Sequence, residues 1–363
     1  MDKRQSKLIP GFFVQWHLLN RCNLRCTHCY QDKFIDEPAD FNRYRALVRQ
    51  IAGDFLPLYG SVEFNLTGGE PLLYPDLWNL TALIRLSGAR WNLLSNGTLI
   101  DKTVISELKR NEVQGVQISL EGLENENDSV RGRGTFQKAL AAIVLLREAK
   151  IRTNIAITLT ANNIAMIDEF IQLADRLGVA LGFHRYIPVG NSGMDSGRLQ
   201  PSIEEWNHAV DRIARAKIFD SHPVTMNDPL FGAKLFELKY GCPGDAGINQ
   251  RLSGCTIGVG GVTIMPDGTV YPCRKLPLLL GNVYQTDLFR IWMDSELLWC
   301  FRNRDQYQGR CGKCNVVQLC GGCRASAYWN SQRAPLSEDV FCLKTPGKPV
   351  SGHRLYRNNK IRQ

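Results

Sequence analysis

An α/β fold built on a parallel sheet follows from three features of the sequence. Six apolar, β-rich runs alternate with amphipathic helical segments over the first 190 residues, the gaps between them are long enough for crossover helices, and the unusual polar motifs fall just after the runs. The runs are FFVQWHLL (12–19), SVEFNLT (61–67), RWNLLS (90–95), GVQISLE (115–121), RTNIAITLT (152–160) and VALGFHRYI (179–187). Helical periodicity fills the gaps at FNRYRALVRQIAG (41–53), TFQKALAAIVLLREAK (135–150) and NIAMIDEFIQLADRLG (163–178). Thr135 and Asn163 are the expected N-caps, and Gly178 is the expected left-handed stop. Six strands joined by such crossovers give a βαβ layer, either open or curled toward a barrel. In both versions chemistry gathers at the carboxyl ends of the strands.

Composition narrows the class. The formal charge of +9 comes almost wholly from the two tails: residues 1–7 and 344–363 together supply +8, leaving about +1 for the body. That is a solvated basic tail rather than a nucleic-acid-binding surface. No signal peptide and no run of about 18 apolar residues is present, so a cytoplasmic protein without membrane association is expected. Twelve cysteines in such a chain point away from disulfides. Three lie at 22–29 and nine at 242–342, which suggests metal centres in two places.

The first group is Cys22, Cys26 and Cys29, spaced C-x3-C-x2-C in HLLNRCNLRCTHCYQ directly after the first strand. A closed structural zinc site asks for four ligands. A four-iron cubane functions with three protein thiolates when one iron is left to an outside ligand, and soft thiolates favour iron–sulfur or zinc. His28, pinned between Cys26 and Cys29, is not expected to supply a fourth ligand. The second strand ends in TGGEP (67–71), where Gly68 and Gly69 permit close backbone approach and Glu70 offers a carboxylate to an ammonium. SNG (95–97) closes the third strand.

With its three-cysteine loop and TGGEP motif, the sequence resembles the radical S-adenosylmethionine (SAM) enzymes. The resemblance implies a partial (β/α)6 TIM-like barrel, with a [4Fe–4S] cluster on Cys22, Cys26 and Cys29 whose open iron is chelated by SAM. By the same resemblance Gly68, Gly69 and Glu70 hold the methionine amino group. Ser95 and Asn96 lie near the ribose, and Ser119 and Arg131 make further cofactor contacts, Arg131 to the carboxylate. Glu121 stands in SLEG where the family often has aspartate, and no role is assigned to it.

From about residue 235 the chain turns Gly-, Pro- and Cys-rich, as expected of a region organised by something inorganic. GTVYPC (268–273) and CGKCNVVQLCGGC (311–323), with Cys342, resemble the SPASM extension that carries auxiliary iron–sulfur clusters. The last gap here is two residues where the usual pattern has three. The resemblance implies two auxiliary clusters. Cys311, Cys314, Cys320 and Cys342 would hold the distal one, and Cys255, Cys273, Cys323 and Cys242 the proximal one. Cys300 would be a buried thiol. A pair of zinc sites is the alternative. The expected organisation is a barrel with connecting helix over 1–234, a small cysteine-rich α+β SPASM-like domain over 235–345, and a basic tail over 346–363.

Enzymes of this layout cleave SAM reductively to methionine and a 5′-deoxyadenosyl radical, drawing the electron from a flavodoxin- or ferredoxin-like donor. Most modify ribosomally made peptides or proteins; others act on tetrapyrroles or other small molecules. Arg274, after Cys273, replaces the aspartate usual in the sulfatase-maturing branch. With the first strand near residue 12, recognition of a precursor falls to a separate protein or to the barrel. His184 and Arg185, at the end of the sixth run, are the expected catalytic pocket residues. A non-catalytic electron-transfer protein and an RNA-modifying enzyme are the competing classes.

Overall fold

The computed structural model describes residues 11–31, 33–35, 40–189, 199–240 and 255–344. The six runs form strands β1 (Phe12–His17), β2 (Val62–Thr67), β3 (Arg90–Ser95), β4 (Gly115–Leu120), β5 (Thr153–Leu159) and β6 (Ala180–Arg185). Each pairs in parallel with the next. They form the partial barrel-like sheet of a mixed α/β fold. Strand alternation divides the side chains: Phe12, Val14, Trp16, Phe64, Leu66, Ile118 and Ile157 are buried in the apolar core. The other face presents Gln15, Asn65, Asn92, Gln117, Asn154 and His184 to a central cavity.

The sheet runs further than the sequence pattern indicates. Ten strands lie in the order β10-β9-β8-β1-β2-β3-β4-β5-β6-β7. β7 (Val224–Met226) extends the β6 edge, and β8 (Gly261–Ile264) pairs in parallel with β1 from Phe13↔Gly261 to Trp16↔Ile264. β9 (Thr269–Tyr271) and β10 (Gly281–Asn282) follow antiparallel. Strands of two to four residues carry no readable alternation. Gly261 permits the new pairing, since a Cβ there would stand 2.2 Å from the Phe13 carbonyl oxygen. The cysteine-rich region is thus stitched to the barrel through β1, the strand that leads into the first cysteine loop.

Helix ends differ from expectation where a distant side chain caps them. The helix at Thr135–Glu148 begins on Thr135 itself, after a left-handed Gly134, and Asp128 accepts from the Phe136 amide at 2.9 Å. Asp128 thus takes the capping role expected of Thr135. Asn163 does not cap either: its Oδ1 takes the Thr160 amide (2.8 Å), and a short 3₁₀ turn precedes the helix Ile167–Leu177. That helix ends on Gly178 at φ 63°, as predicted. The first helix continues past Gly53 and through Pro57 to Tyr59. The helix Ile203–Ile218 opens on a reciprocal capping box of Ser202 and Glu205.

Candidate active site and cluster-binding loops

Cys22, Cys26 and Cys29 lie at the carboxyl end of β1 and line a cavity of about 680 Å³, together with Gly68, Gly69, Ser95, Asn96, Ser119, Arg131 and His184. Backbone amides already point at two of the sulfurs, Leu24 N at Cys22 and Gln31 N at Cys29, each at 3.4 Å. Burial pushes all three thiols up, Cys26 to about 11, so a strongly positive partner is needed to draw them out as thiolates.

The glycines of TGGEP serve this loop directly. Gly69 N donates to the Leu19 carbonyl (2.8 Å) and Glu70 N to the Arg21 carbonyl (3.0 Å). A Cβ on Gly68 would fall 2.4 Å from the Leu19 carbonyl oxygen, and one on Gly69 2.0 Å from that of Arg21. Gly68 also holds φ at +139°. The close approach expected toward a ligand is made here to the segment carrying Cys22.

Glu70 is fully buried, and its carboxylate accepts from Ser95 Oγ (2.9 Å), the Asn96 amide (2.9 Å) and the Leu72 amide (3.3 Å). Burial pushes its carboxyl up to about 7 against these hydrogen bonds. The side chain expected to accept from an ammonium therefore ties the end of β2 to the end of β3. Asn96 continues the tie: its Nδ2 donates to Asn23 Oδ1 (2.9 Å), and its Oδ1 accepts from the Thr98 amide (2.9 Å). The ends of β2 and β3 and the cysteine loop after β1 are thereby locked into one polar unit.

Glu121, left without a role by the sequence, is the hub of the fourth strand end. It is 3% exposed, lies 2.8 Å from His28 Nε2, and receives Arg131 Nε at 3.1 Å and Nη2 at shorter range. Burial opposes its ionisation, but His28 and Arg131 hold its carboxyl down at about 2. His28 lines the cavity rather than turning away from it, and Arg131 is already paired. The missed signal was the run from His28 to Arg131: a histidine and an arginine flanking a strand-end glutamate.

The C-terminal cysteines separate into two sets. Cys255, Cys273 and Cys323 line the large cavity with the first three. Cys311, Cys314, Cys320 and Cys342 line a second cavity of about 210 Å³, walled by apolar groups such as Val210, Leu230 and Leu319. The short gap between Cys320 and Cys323 holds Gly321 (φ 70°) and Gly322 (φ 56°), which turn the chain so that consecutive cysteines face different cavities. Burial pushes the thiols of Cys273, Cys320, Cys323 and Cys342 up, Cys342 to about 11. Cys300 is half-buried and lines neither cavity. Cys242 lies outside the described residues.

Of the two expected catalytic residues, Arg185 is committed elsewhere. Its Nη1 donates to Asp339 at 2.8 and 2.9 Å, its Nε and Nη2 lie 2.7 and 3.0 Å from Asp228, and Trp206 and Phe341 stack against it at 4.8 and 5.1 Å. Asp339 also accepts from the Cys323 amide and Ser326 Oγ, each at 2.9 Å. Arg185 is thus a buried joint between β6 and the cysteine-rich region. His184 behaves differently: its Nε2 is buried at the large cavity without a partner among the described residues, and burial, then Lys275, push its pKa down to about 4. It is a neutral imidazole at neutral pH.

Comparison with known proteins accounts for this assembly. A profile of the Radical SAM superfamily matches residues 16–174, and one of the SPASM iron–sulfur cluster-binding domain matches residues 255–315. The chain is 30% identical over 346 residues to the mycofactocin maturase MftC of Mycobacterium ulcerans, covering 93% of this chain and 89% of the relative. The chain belongs to the radical SAM superfamily. It is also 29% identical over 347 residues to the AdoMet-dependent heme synthase of Methanosarcina barkeri, covering 92% and 97% of the two chains. Among solved structures, Streptococcus suis SuiB bound to S-adenosylmethionine superposes with a TM-score of 0.70 at 18% identity, over 94% of this chain and 79% of SuiB.

This radical SAM protein is therefore an enzyme that binds S-adenosylmethionine and carries a [4Fe–4S] site, with a SPASM domain at its C-terminal side. Its residues fit that equipment. Three half-buried thiols with no fourth cysteine in their loop leave room for an exogenous ligand, and soft sulfur donors suit iron. No described helix is long and apolar enough to cross a membrane.

Proposed function

We propose that the enzyme modifies a ribosomally made peptide or protein inside the large cavity. The observation that carries this reading is the inner face of the barrel. Gln15, Asn65, Asn92, Gln117 and Asn154 present amides from five successive strands, and Asn92 Nδ2 reaches Asn65 Oδ1 at 2.9 Å. Such a lining offers donors and acceptors to a polar, extended chain. A SuiB structure bound to its precursor peptide SuiA, TM-score 0.70 at 17% identity, supports the same reading.

In this proposal Cys22, Cys26 and Cys29 hold the catalytic cluster. Gly68 and Gly69 bring the second strand end against it, and Ser95, Asn96, Ser119 and Arg131 face S-adenosylmethionine. When bound, cluster and cofactor supply a reductive cleavage whose 5′-deoxyadenosyl radical takes a hydrogen atom from the substrate. Glu70 fixes the strand ends, and Glu121 orients His28 and Arg131. His184, uncharged and unpartnered, accepts a proton from substrate at Nε2. Cys255, Cys273 and Cys323, with Cys242, hold one auxiliary cluster, and Cys311, Cys314, Cys320 and Cys342 a second. A small electron-transfer protein of flavodoxin or ferredoxin type is the donor, and a separate recognition protein delivers the precursor.

Anaerobic purification should give about 12 irons per chain, one cubane for each of three cysteine sets; about 4 would remove the auxiliary assignment. Incubation with SAM, reductant and a candidate precursor should release 5′-deoxyadenosine and change the precursor's mass. A tetrapyrrole substrate is the second reading, favoured by the near full-length match to heme synthases. It predicts the same deoxyadenosine with an iron porphyrin and none with peptides. Glu121→Gln should weaken SAM binding about tenfold while leaving the iron content intact, because it removes the charge that positions Arg131 and His28. Unchanged affinity by calorimetric titration would refute that role.

A further inference from the structure

The large cavity holds more positive charge than its own carboxylates answer. Arg131 is matched by Glu121, and Arg185 by Asp228 and Asp339. Arg274 and Lys275 have no carboxylate at ion-pair distance among the described residues. Yet both line this cavity, and neither is solvated like a surface cation.

Arg274 is 9% exposed. Its guanidinium stacks 4.3 Å over the Tyr30 ring, its Nη2 donates to the Tyr30 carbonyl at 3.1 Å, and its Nε is buried with no partner among the described residues. Lys275 Nζ donates to the Arg185 carbonyl at 2.6 Å, a single hydrogen bond among the described residues for a group with three donors. That carbonyl belongs to the residue after His184, whose own Nε2 is buried without a partner. Burying a cation away from a carboxylate partner is costly; Arg274 is buried and Lys275 half-buried. Two cations with unfilled capacity therefore meet one cavity, a planar guanidinium fixed by stacking and an ammonium, with the neutral imidazole of His184 beside them.

We infer that Arg274 and Lys275 form an anion seat, beside His184, that takes a carboxylate of the substrate. This inference rests on reading the cavity as the substrate chamber. A guanidinium edge matches the two oxygens of a carboxylate in plane, and the ammonium adds charge from a second direction. Peptides carry this group as a free terminus or an Asp or Glu side chain, and porphyrins carry it as propionates. Arg274 follows Cys273, and Lys275 comes next, so the seat lies beside a cysteine set of the C-terminal region.

The test uses the anaerobic full-length enzyme loaded with iron–sulfur clusters and two probe pairs. One is a labelled decapeptide rich in Glu with a free terminus, set against the same peptide with Gln for Glu and an amidated end. The other is iron-coproporphyrin III against its tetramethyl ester. Binding is read by anisotropy for the peptides and by absorbance for the porphyrins, without turnover. At least one acid should bind about tenfold or more tightly than its neutral partner, and the pair that discriminates identifies the source of the carboxylate. Lys275→Met and Arg274→Gln should each erase most of that preference, while exposed Lys109→Met should retain it. Because the probe pairs report on the wild type, the inference is testable even if a variant fails to fold.

Equal affinity of acid and neutral forms, or no binding by either acid, would overturn the seat. So would variants that keep the preference while shifting the spectrum of a C-terminal cluster, since Lys275 would then serve that cluster's charge. Variants that weaken SAM binding in parallel would reassign the seat to the cofactor. Release of 5′-deoxyadenosine from the same preparation reports on radical chemistry separately, so that loss of the acid preference sinks only this inference.

Discussion

Gly69→Ala should cut SAM cleavage about 100-fold or more, in keeping with the cost of displacing reacting groups by about 1 Å, while any iron of the SPASM region remains. The three atoms nearest the added Cβ would all be backbone: the Arg21 carbonyl oxygen at 2.0 Å, its carbon at 2.5 Å and the Asn20 carbonyl oxygen at 2.6 Å. No flexible side chain is available to swing aside. Relief requires the segment 20–22 to move, and Cys22 moves with it. The bond from Glu70 N to the Arg21 carbonyl would break at the same time. The comparison is the initial rate of 5′-deoxyadenosine formation beside iron content, for wild type and variant. A normal rate would show that the cysteine loop does not depend on this contact.

Asp339→Ala should destabilise the protein by about 3–5 kcal/mol, the usual result of breaking a buried ion pair from one side. Arg185 would lose its two Nη1 contacts, and the Cys323 amide and Ser326 hydroxyl would lose their acceptor. Burial pushes against ionisation of Asp339, yet Arg185 and the donors around it hold its carboxyl below the usual range. Asp228 is pushed up, by burial first, with Asp339 adding to it against the pull of Arg185. One arginine thus faces two carboxylates, with Asp339 the more firmly ionised. Denaturant unfolding followed by tryptophan emission measures the loss. A cost below about 1 kcal/mol, the range of exposed pairs, would mean that the joint does not bear on stability.

The barrel was legible because its strands are six or seven residues long and keep one apolar face, a pattern that survives any tertiary context. β7 to β10 are too short for that pattern, and their pairing follows from what the barrel edges offer. The cysteine loop and TGGEP were legible as a unit because three thiols at that spacing suit a metal, and paired glycines at a strand end suit a close backbone contact. Individual roles were less so. Glu70 reads from sequence as a ligand to an ammonium, and the three protein donors it also accepts from could not be read there. Arg185 reads as a pocket charge because its partners lie 43 and 154 residues away. Glu121 carries no role in the sequence alone, because His28 and Arg131 meet it only in the fold. In each case the chemistry of the side chain was plain, and its partner was not.

An iron left open to S-adenosylmethionine at the three-cysteine site is the central claim, and electron paramagnetic resonance of the reduced enzyme tests it most directly. The spectrum would be recorded with and without S-adenosylmethionine, on wild type and on a variant with Cys22, Cys26 and Cys29 all changed to Ala. The cofactor should alter the wild-type signal of one cluster and leave the variant's remaining signals untouched. A wild-type spectrum indifferent to the cofactor, or a response that persists in the variant, would contradict the claim.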